Sequence, residues 1–179
     1  MKSQIILCSG GARSGKSEFA EKMCMDFNDE TMYYIAAMEP FGKTAEEKIK
    51  RHRRLREGKG FETIEKFTDL KGIVFGKKGT VLLECMSNLL ANEIFSPAGS
   101  GKNAYEEIIK GVDFVLQNSK NLVVVTNDVF SDGVLYPKET MEYIKILGEI
   151  NYTLAKKADE VIDVVSSVPV YYKKGKKKC

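Results

Sequence analysis

The chain has 179 residues, 43% hydrophobic and 30% charged, with 28 Lys and Arg against 25 Asp and Glu for a formal charge of +3. That length suits one domain, residues 1–179, with one sizeable core, and the composition excludes a disordered, collagenous or disulfide-stapled chain. No window approaches a membrane span, and the apolar stretch after Lys2 is too short for a signal sequence, so a cytoplasmic protein is expected.

Residues 4–8 are a short apolar run of strand length. Gly10-Gly11-Ala12-Arg13-Ser14-Gly15-Lys16-Ser17 follows and fills the pattern G-x-x-x-x-G-K-[ST] without a mismatch. In that pattern backbone N–H groups curl around phosphate oxygens, the Lys reaches the β- and γ-phosphates and the Ser ligates Mg²⁺. The motif should sit between a strand and a helix. Phe19, Ala20, Met23 and Phe27 recur at helical spacing behind it, which points the helix N-terminus at the phosphates. Asn28-Asp29-Glu30 reads as a turn, and residues 32–36 as a second buried strand. Pro40 and Gly42 break regular structure. Thr44 with Glu47 forms a capping box that opens a polar helix from Ala45 to Arg56, ended by Gly58 and Gly60.

Residues 61–65 look like a short strand, and residues 72–79 like a basic connection. Thr80-Val81-Leu82-Leu83-Glu84 suits a parallel strand buried on both faces, with its acid at the carboxyl end. A P-loop protein needs a carboxylate there to hold Mg²⁺ or its water shell, so Glu84 joins Ser17 as a candidate metal residue. A helix is expected over residues 86–95 and a flexible loop over 96–102. Asn103 and Glu106 mark a second capping-box-like start, for a helix whose apolar face carries Tyr105, Ile108, Ile109, Val112, Val115 and Leu116. Residues 122–126 form a core strand with Asn127 and Asp128 at its carboxyl end. That edge binds ligands in open α/β sheets, although ordinary turn chemistry explains the pair equally well. A long amphipathic helix carries Met141, Ile144, Leu147, Asn151, Leu154 and Ala158. Strands at 161–165 and 168–172 close the chain. Ser166-Ser167 suits a tight antiparallel turn between them, and Pro169 puts the last strand at an edge.

The four cysteines, Cys8, Cys24, Cys85 and Cys179, lack metal-type spacing and read as reduced packing residues. The basic run at 173–179 reads as a frayed, solvated tail, and nucleic-acid binding is the weaker idea for it.

His52 is the single histidine. It lies in Lys48-Ile49-Lys50-Arg51-His52-Arg53-Arg54-Leu55-Arg56, where Ile49, His52 and Leu55 share a helix face. One reading is a structural histidine on a basic helix. The other is a nucleophile for phosphorus. Histidine forms covalent intermediates, attack needs the neutral ring, and surrounding positive charge disfavours a further cation there. The same guanidinium groups suit phosphate oxygens. A one-step kinase needs no such residue, because its acceptor attacks directly.

Taken together, these blocks resemble the bifunctional adenosylcobinamide kinase / adenosylcobinamide-phosphate guanylyltransferases of cobalamin biosynthesis. The P-loop octapeptide, Tyr34-Ile35-Ala36-Ala37, Lys48-Ile49-Lys50-Arg51-His52-Arg53, Phe61-Glu62-Thr63-Ile64-Glu65, Leu82-Leu83-Glu84-Cys85 and Val125-Thr126-Asn127-Asp128-Val129 carry the likeness. It implies an α/β, RecA-like P-loop fold, with a mostly parallel sheet flanked by helices and antiparallel strands at the C-terminal edge. It also implies a homotrimer and a corrinoid substrate, with GTP or ATP and Mg²⁺. In its first implied reaction a γ-phosphate passes to adenosylcobinamide. In its second the histidine attacks the α-phosphate of GTP, and the GMP passes to adenosylcobinamide phosphate.

Carried over, His52 is the guanylylated residue and Lys16 the other catalytic one. Ala36, Ala37, Met38, Arg53, Arg54, Leu55, Arg56, Glu65 and Glu84 join Gly10 to Ser17 around the nucleotide. The chain departs from the family pattern at Phe41-Gly42-Lys43-Thr44, at Glu57-Gly58, at Phe130-Ser131-Asp132-Gly133 and in an apparent insertion at 96–102. The alternatives are a one-step small-molecule P-loop kinase with His52 structural, and a nucleotide-gated binding module.

Overall fold

Seven strands form one sheet in the order β3-β2-β4-β5-β1-β6-β7. The computed structural model describes residues 3–40, 42–128 and 134–175, with the side chains of Lys48 and Leu55 outside the description. The elements are β1 (Gln4–Ser9), α1 (Lys16–Asp26), β2 (Met32–Ala36), α2 (Gly42–Arg56), β3 (Phe61–Glu65), β4 (Thr80–Glu84), α3 (Met86–Phe95), α4 (Ala104–Asn118), β5 (Asn121–Val125), α5 (Lys138–Lys157), β6 (Glu160–Val165) and β7 (Val168–Lys173). The strands from β3 to β6 are all parallel to their neighbours, and β7 returns antiparallel to β6. Every parallel strand therefore delivers its following loop to one edge of the sheet, and the P-loop leaves the central β1 there.

The continuous apolar runs sit where a sheet covered on both faces requires them. Leu82, Leu83, Val123 and Val124 have no exposed surface. The larger core packs one face against α3, α4 and α5, with Leu89, Ile108, Val112, Leu147 and Ile150 at its centre. The smaller core packs the other face against α1, through Ile6, Cys8, Ala20, Cys24 and Leu82. Cys8, Cys24 and Cys85 are buried free thiols, and Cys179 lies outside the described residues. Burial pushes the Cys8 thiol up to about 12, as expected of a packing residue rather than a reactive one.

Local corrections concern caps and loops. Helix α2 starts at Gly42 rather than Ala45, so Thr44 lies inside the first turn and is not a cap. Asn103 does cap α4, but its side chain makes no capping bond. A 3₁₀ turn, Gly101–Asn103, leads into the helix and leaves Asn103 at φ −94°, ψ 11°, not in the extended shape that aims an N-cap oxygen at the first turn. The expected loose loop at 96–102 is anchored. The Glu93 carboxylate, itself buried, accepts from the Ser100 N–H at 2.9 Å and the Ser100 hydroxyl at 2.7 Å. A Cβ at Gly99 would lie 2.4 Å from the Glu93 carbonyl oxygen, so only glycine fits that approach.

Ser166 and Ser167 have φ of 49° and 66°, the left-handed pair that a two-residue hairpin of this twist needs. Lys173 closes β7 and donates to the Ala158 carbonyl, while residues 176–179 lie outside the described residues. So does the departure at Phe130-Ser131-Asp132-Gly133. Among the described residues no helix is long and apolar enough to cross a membrane.

Candidate functional site

The P-loop is held by backbone contacts from two sides. Gly15 stands at φ +89°, and a Cβ there would meet the Ser167 hydroxyl at 2.7 Å. The Ser167 N–H donates to the Ser14 carbonyl at 2.7 Å, so the β6–β7 turn clamps the loop from outside. On the other flank the Asp128 N–H donates to the Gly10 carbonyl at 3.2 Å. Lys16 is buried, and its Nζ donates to the Gly11 carbonyl at 3.0 Å. The Ser14 hydroxyl is buried with no partner among the described residues. A buried unpaired hydroxyl and a buried ammonium bonded to a neutral carbonyl are the polar atoms that an anion would satisfy. Gly11, Ala12 and Arg13 are exposed at the rim of the cradle.

Glu84 is the junction of the site. It ends β4 only 8% exposed. The Ser17 hydroxyl donates to its Oε1, and the Tyr34 hydroxyl donates to its Oε2 at 3.1 Å. His52 Nδ1 lies 3.9 Å from Oε1. Burial, reinforced by the Glu84 charge, holds the Tyr34 phenol far above its ordinary value, so it stays a donor. The Ala37 N–H donates to the Glu84 carbonyl at 3.0 Å, which braces the end of β4 against the chain leaving β2. Ser17 and Glu84 offer the hard oxygens that Mg²⁺ takes, one or two from protein with the rest from water and phosphate. The residues present therefore fit that ion.

The basic helix divides its arginines. Arg56 is 7% exposed, with its guanidinium carbon 3.4 Å from the centroid of the Tyr34 ring. Stacking on a π face satisfies part of its charge, but Nε and Nη1 are buried without a partner among the described residues. Arg53 pairs with Glu65 at the carboxyl end of β3, both about half exposed. Arg54 is exposed, and the Leu55 side chain lies outside the described residues. His52 thus faces the Glu84 carboxylate, while Arg53 and Arg56 are engaged with Glu65 and Tyr34. A cavity of about 540 Å³ opens beside this helix, lined by Arg53, Arg56, Gly58, Gly60, Phe61 and Thr63. A second concavity, about 330 Å³ around Phe75, Lys77 and Phe114, includes none of the cradle residues.

Lys59, just past α2, pairs at 2.5 Å with Glu21 of α1, which is 3% exposed. This ties the end of the basic helix to the helix that the P-loop opens. Burial pushes the Glu21 carboxyl above its ordinary value, with Lys59 pulling the other way.

The predicted residues therefore form two groups. Residues 10–17, Glu84 and His52 meet at one cradle. Arg53 and Arg56 line the cavity beside it and Glu65 pairs with Arg53, while Ala36 stands in register between Glu84 and Glu65. Sequence reasoning missed Tyr34, Lys59, Glu21 and Ser167. Tyr34 carried a signal, since period two places it with Ala36 on one face of β2, and the register sets Ala36 beside Glu84. Ser167 carried none, because its contact with the loop spans about 150 residues of chain.

The family model described as cobinamide kinase / cobinamide phosphate guanyltransferase matches residues 6–171. The bifunctional adenosylcobalamin biosynthesis protein CobU of Escherichia coli is 28% identical over 183 residues, covering 94% of this chain and 99% of that protein. The protein of the same name from Salmonella typhimurium matches with the same identity and coverage. Among solved structures, the ATPase domain of G40P aligns with a TM-score of 0.51 at 15% identity, covering 90% of this chain and 69% of that one. The flagellar accessory protein FlaH from Methanocaldococcus jannaschii aligns at 0.51 and 11% identity, covering 96% and 79%. At those identities the structures speak for the fold, a RecA-like P-loop domain.

Proposed function

The chain belongs to the cobinamide kinase / cobinamide phosphate guanyltransferase family, and on that premise we propose that it runs two reactions at one cradle. In the first, the γ-phosphate of GTP or ATP passes to the hydroxyl of adenosylcobinamide. Lys16 and the amides of residues 10–15 hold the phosphates, and catalysis is mainly positioning and charge stabilisation. In the second, His52 attacks the α-phosphorus of GTP. The new N–P bond forms as the bond to the α,β-bridging oxygen breaks and pyrophosphate departs. A phosphate oxygen of adenosylcobinamide phosphate then attacks the same phosphorus, giving adenosylcobinamide-GDP and freeing the ring.

One observation carries this reading. His52 Nδ1 stands 3.9 Å from the carboxylate that Ser17 of the P-loop binds. A nucleophile oriented by a third group is the usual arrangement for covalent catalysis. With Nδ1 turned to Glu84, Nε2 is the attacking atom. Ser17 and Glu84 would hold Mg²⁺, whose chemistry is to screen the charge of the phosphates and the leaving pyrophosphate. Arg56 supplies its unpaired N–H groups to phosphate oxygens, and the cavity beside it takes the nucleoside. Arg53, Glu65 and residues 36–38 complete that wall. The enzyme works in the cytoplasm as a homotrimer.

Doubly labelled GTP tests the reading. With Mg²⁺ and no corrinoid, α-label should appear on the protein and be lost on mild acid treatment; added adenosylcobinamide should take up γ-label and then draw the α-label off the protein. γ-Transfer with no α-label on protein would leave only a kinase.

A further inference from the structure

We infer that Asn127 positions the acceptor hydroxyl in the kinase step and has no part in the attack of His52, an assignment that rests on the two-reaction reading above. The amide sits at a defined place. The strand that leads into it, β5, lies between β4, which ends in Glu84, and β1, which feeds the P-loop. The Thr126 N–H donates to the Cys8 carbonyl at 2.9 Å and the Asp128 N–H to the Gly10 carbonyl at 3.2 Å, so Asn127 is fixed alongside the entry to the cradle. Toward β4, its Nδ2 donates to the Ser87 hydroxyl at 2.5 Å and reaches Cys85 Sγ at 4.0 Å. Ser87 is itself held. It is 8% exposed, its hydroxyl lies 3.0 Å from Cys85 Sγ, and its carbonyl accepts from the Tyr143 hydroxyl at 2.9 Å.

This network commits the amide nitrogen and leaves the amide oxygen with no donor among the described residues. A carbonyl oxygen repels phosphate oxygens but accepts from an alcohol. The terminal phosphate of a cradled triphosphate lies toward the residues that hold its metal, here Ser17 and Glu84. An alcohol arriving at that end meets the gap between β4 and β1, where Asn127 stands. Asn127 Oδ1 accepts the hydroxyl hydrogen and aims the oxygen at the γ-phosphorus. The acceptor O–P bond then forms, the bond to the β,γ-bridging oxygen breaks, and the proton leaves to solvent. An amide takes no proton, so its role is orientation. The α-phosphorus that His52 strikes needs no alcohol, so that reaction has no use for Asn127.

The test compares both half-reactions in the full-length protein with cobinamide as acceptor. Asn127→Ala should lower kinase kcat about 100-fold, the scale of a misplaced reactant. The KM for GTP and the rate of covalent GMP capture should each stay within about two-fold of the unmodified protein. Ser87→Ala, which frees the amide to rotate, should give the same split at about 10-fold. Equal losses in both half-reactions, or no kinase loss in either variant, would overturn the assignment. If Asn127→Ala does not fold, Ser87→Ala alone decides. If the unmodified protein shows neither reaction, the proposed function itself falls, and this assignment with it.

Discussion

The P-loop and the basic helix α2 meet at Glu84, yet they are fixed by different means. The loop is set by main chain. Two carbonyls, of Gly10 and Ser14, accept from Asp128 and Ser167, and glycine stands at position 15, where a Cβ would strike Ser167 of the clamp. Helix α2 is strongly polar and is tied by side chains: Arg56 on Tyr34, Lys59 on Glu21, Arg53 on Glu65 and His52 beside Glu84. Backbone contacts cannot be tuned by substitution, whereas side-chain ties can shift as charge arrives. A rigid cradle suits the part that binds phosphates in both reactions. A tethered helix suits the part that brings a nucleophile to only one of them.

The largest break in this contrast should come from the rigid side. Gly15→Ala forces a Cβ toward Ser167 at φ +89°, which should cost about 1–3 kcal/mol in unfolding free energy. It should also remove nucleotide-induced stabilisation in thermal melts, with both half-reactions lost together. Retained nucleotide binding would mean that the clamp is not what shapes the cradle.

On the tethered side stability and activity should part company. Arg56→Met removes a buried guanidinium with two unpaired donors, so the ligand-free protein should hold its stability or gain about 1 kcal/mol. Guanylylation should fall about 10- to 100-fold, the scale of losing a charged donor to phosphate. Denaturant midpoints and single-turnover rates measure the two.

Glu21→Gln removes the tie at the other end of α2 yet should hold stability at neutral pH or raise it slightly, because burial disfavours the carboxylate charge there more than Lys59 compensates it. It also carries a pH signature. Burial raises the Glu21 carboxyl in the folded protein above its ordinary value of 4.5. The folded state therefore binds the proton more tightly than the unfolded state. The contribution of Glu21 to stability is full below 4.5 and is lost as pH rises through the folded value. Stability-versus-pH curves should lose that downward component in Glu21→Gln and keep it in Glu65→Gln. The latter breaks only the exposed pair with Arg53 and should change stability by less than about 0.5 kcal/mol.

The same contrast marks what the sequence could reveal. The octapeptide at 10–17 was legible because its function depends on glycine and lysine at fixed spacing, and strand β4 because burial on both faces demands an unbroken apolar run ending at Glu84. The position of His52 was legible only as a choice. Residue type allowed a structural histidine, and only tertiary packing sets the ring beside the carboxylate that Ser17 binds. The arginines illustrate the limit. Their clustering suggested that they surround the imidazole, but helical spacing sends Arg56 to Tyr34 and Arg53 to Glu65. The capping boxes failed for a local reason. Chain entering α2 and α4 is already turned, through Gly42 and the 3₁₀ turn at 101–103, so neither hydroxyl nor amide stands at an extended cap.

The central claim is that one cradle presents GTP to a histidine carried on the tethered helix. Intact-mass measurement after incubation with GTP and Mg²⁺, on the unmodified protein and on His52→Ala, tests it most directly. A gain of one GMP is expected on the unmodified protein and none on His52→Ala, with γ-phosphate transfer to cobinamide surviving in the variant. A GMP adduct that persists in His52→Ala, or no adduct in either protein, would contradict it.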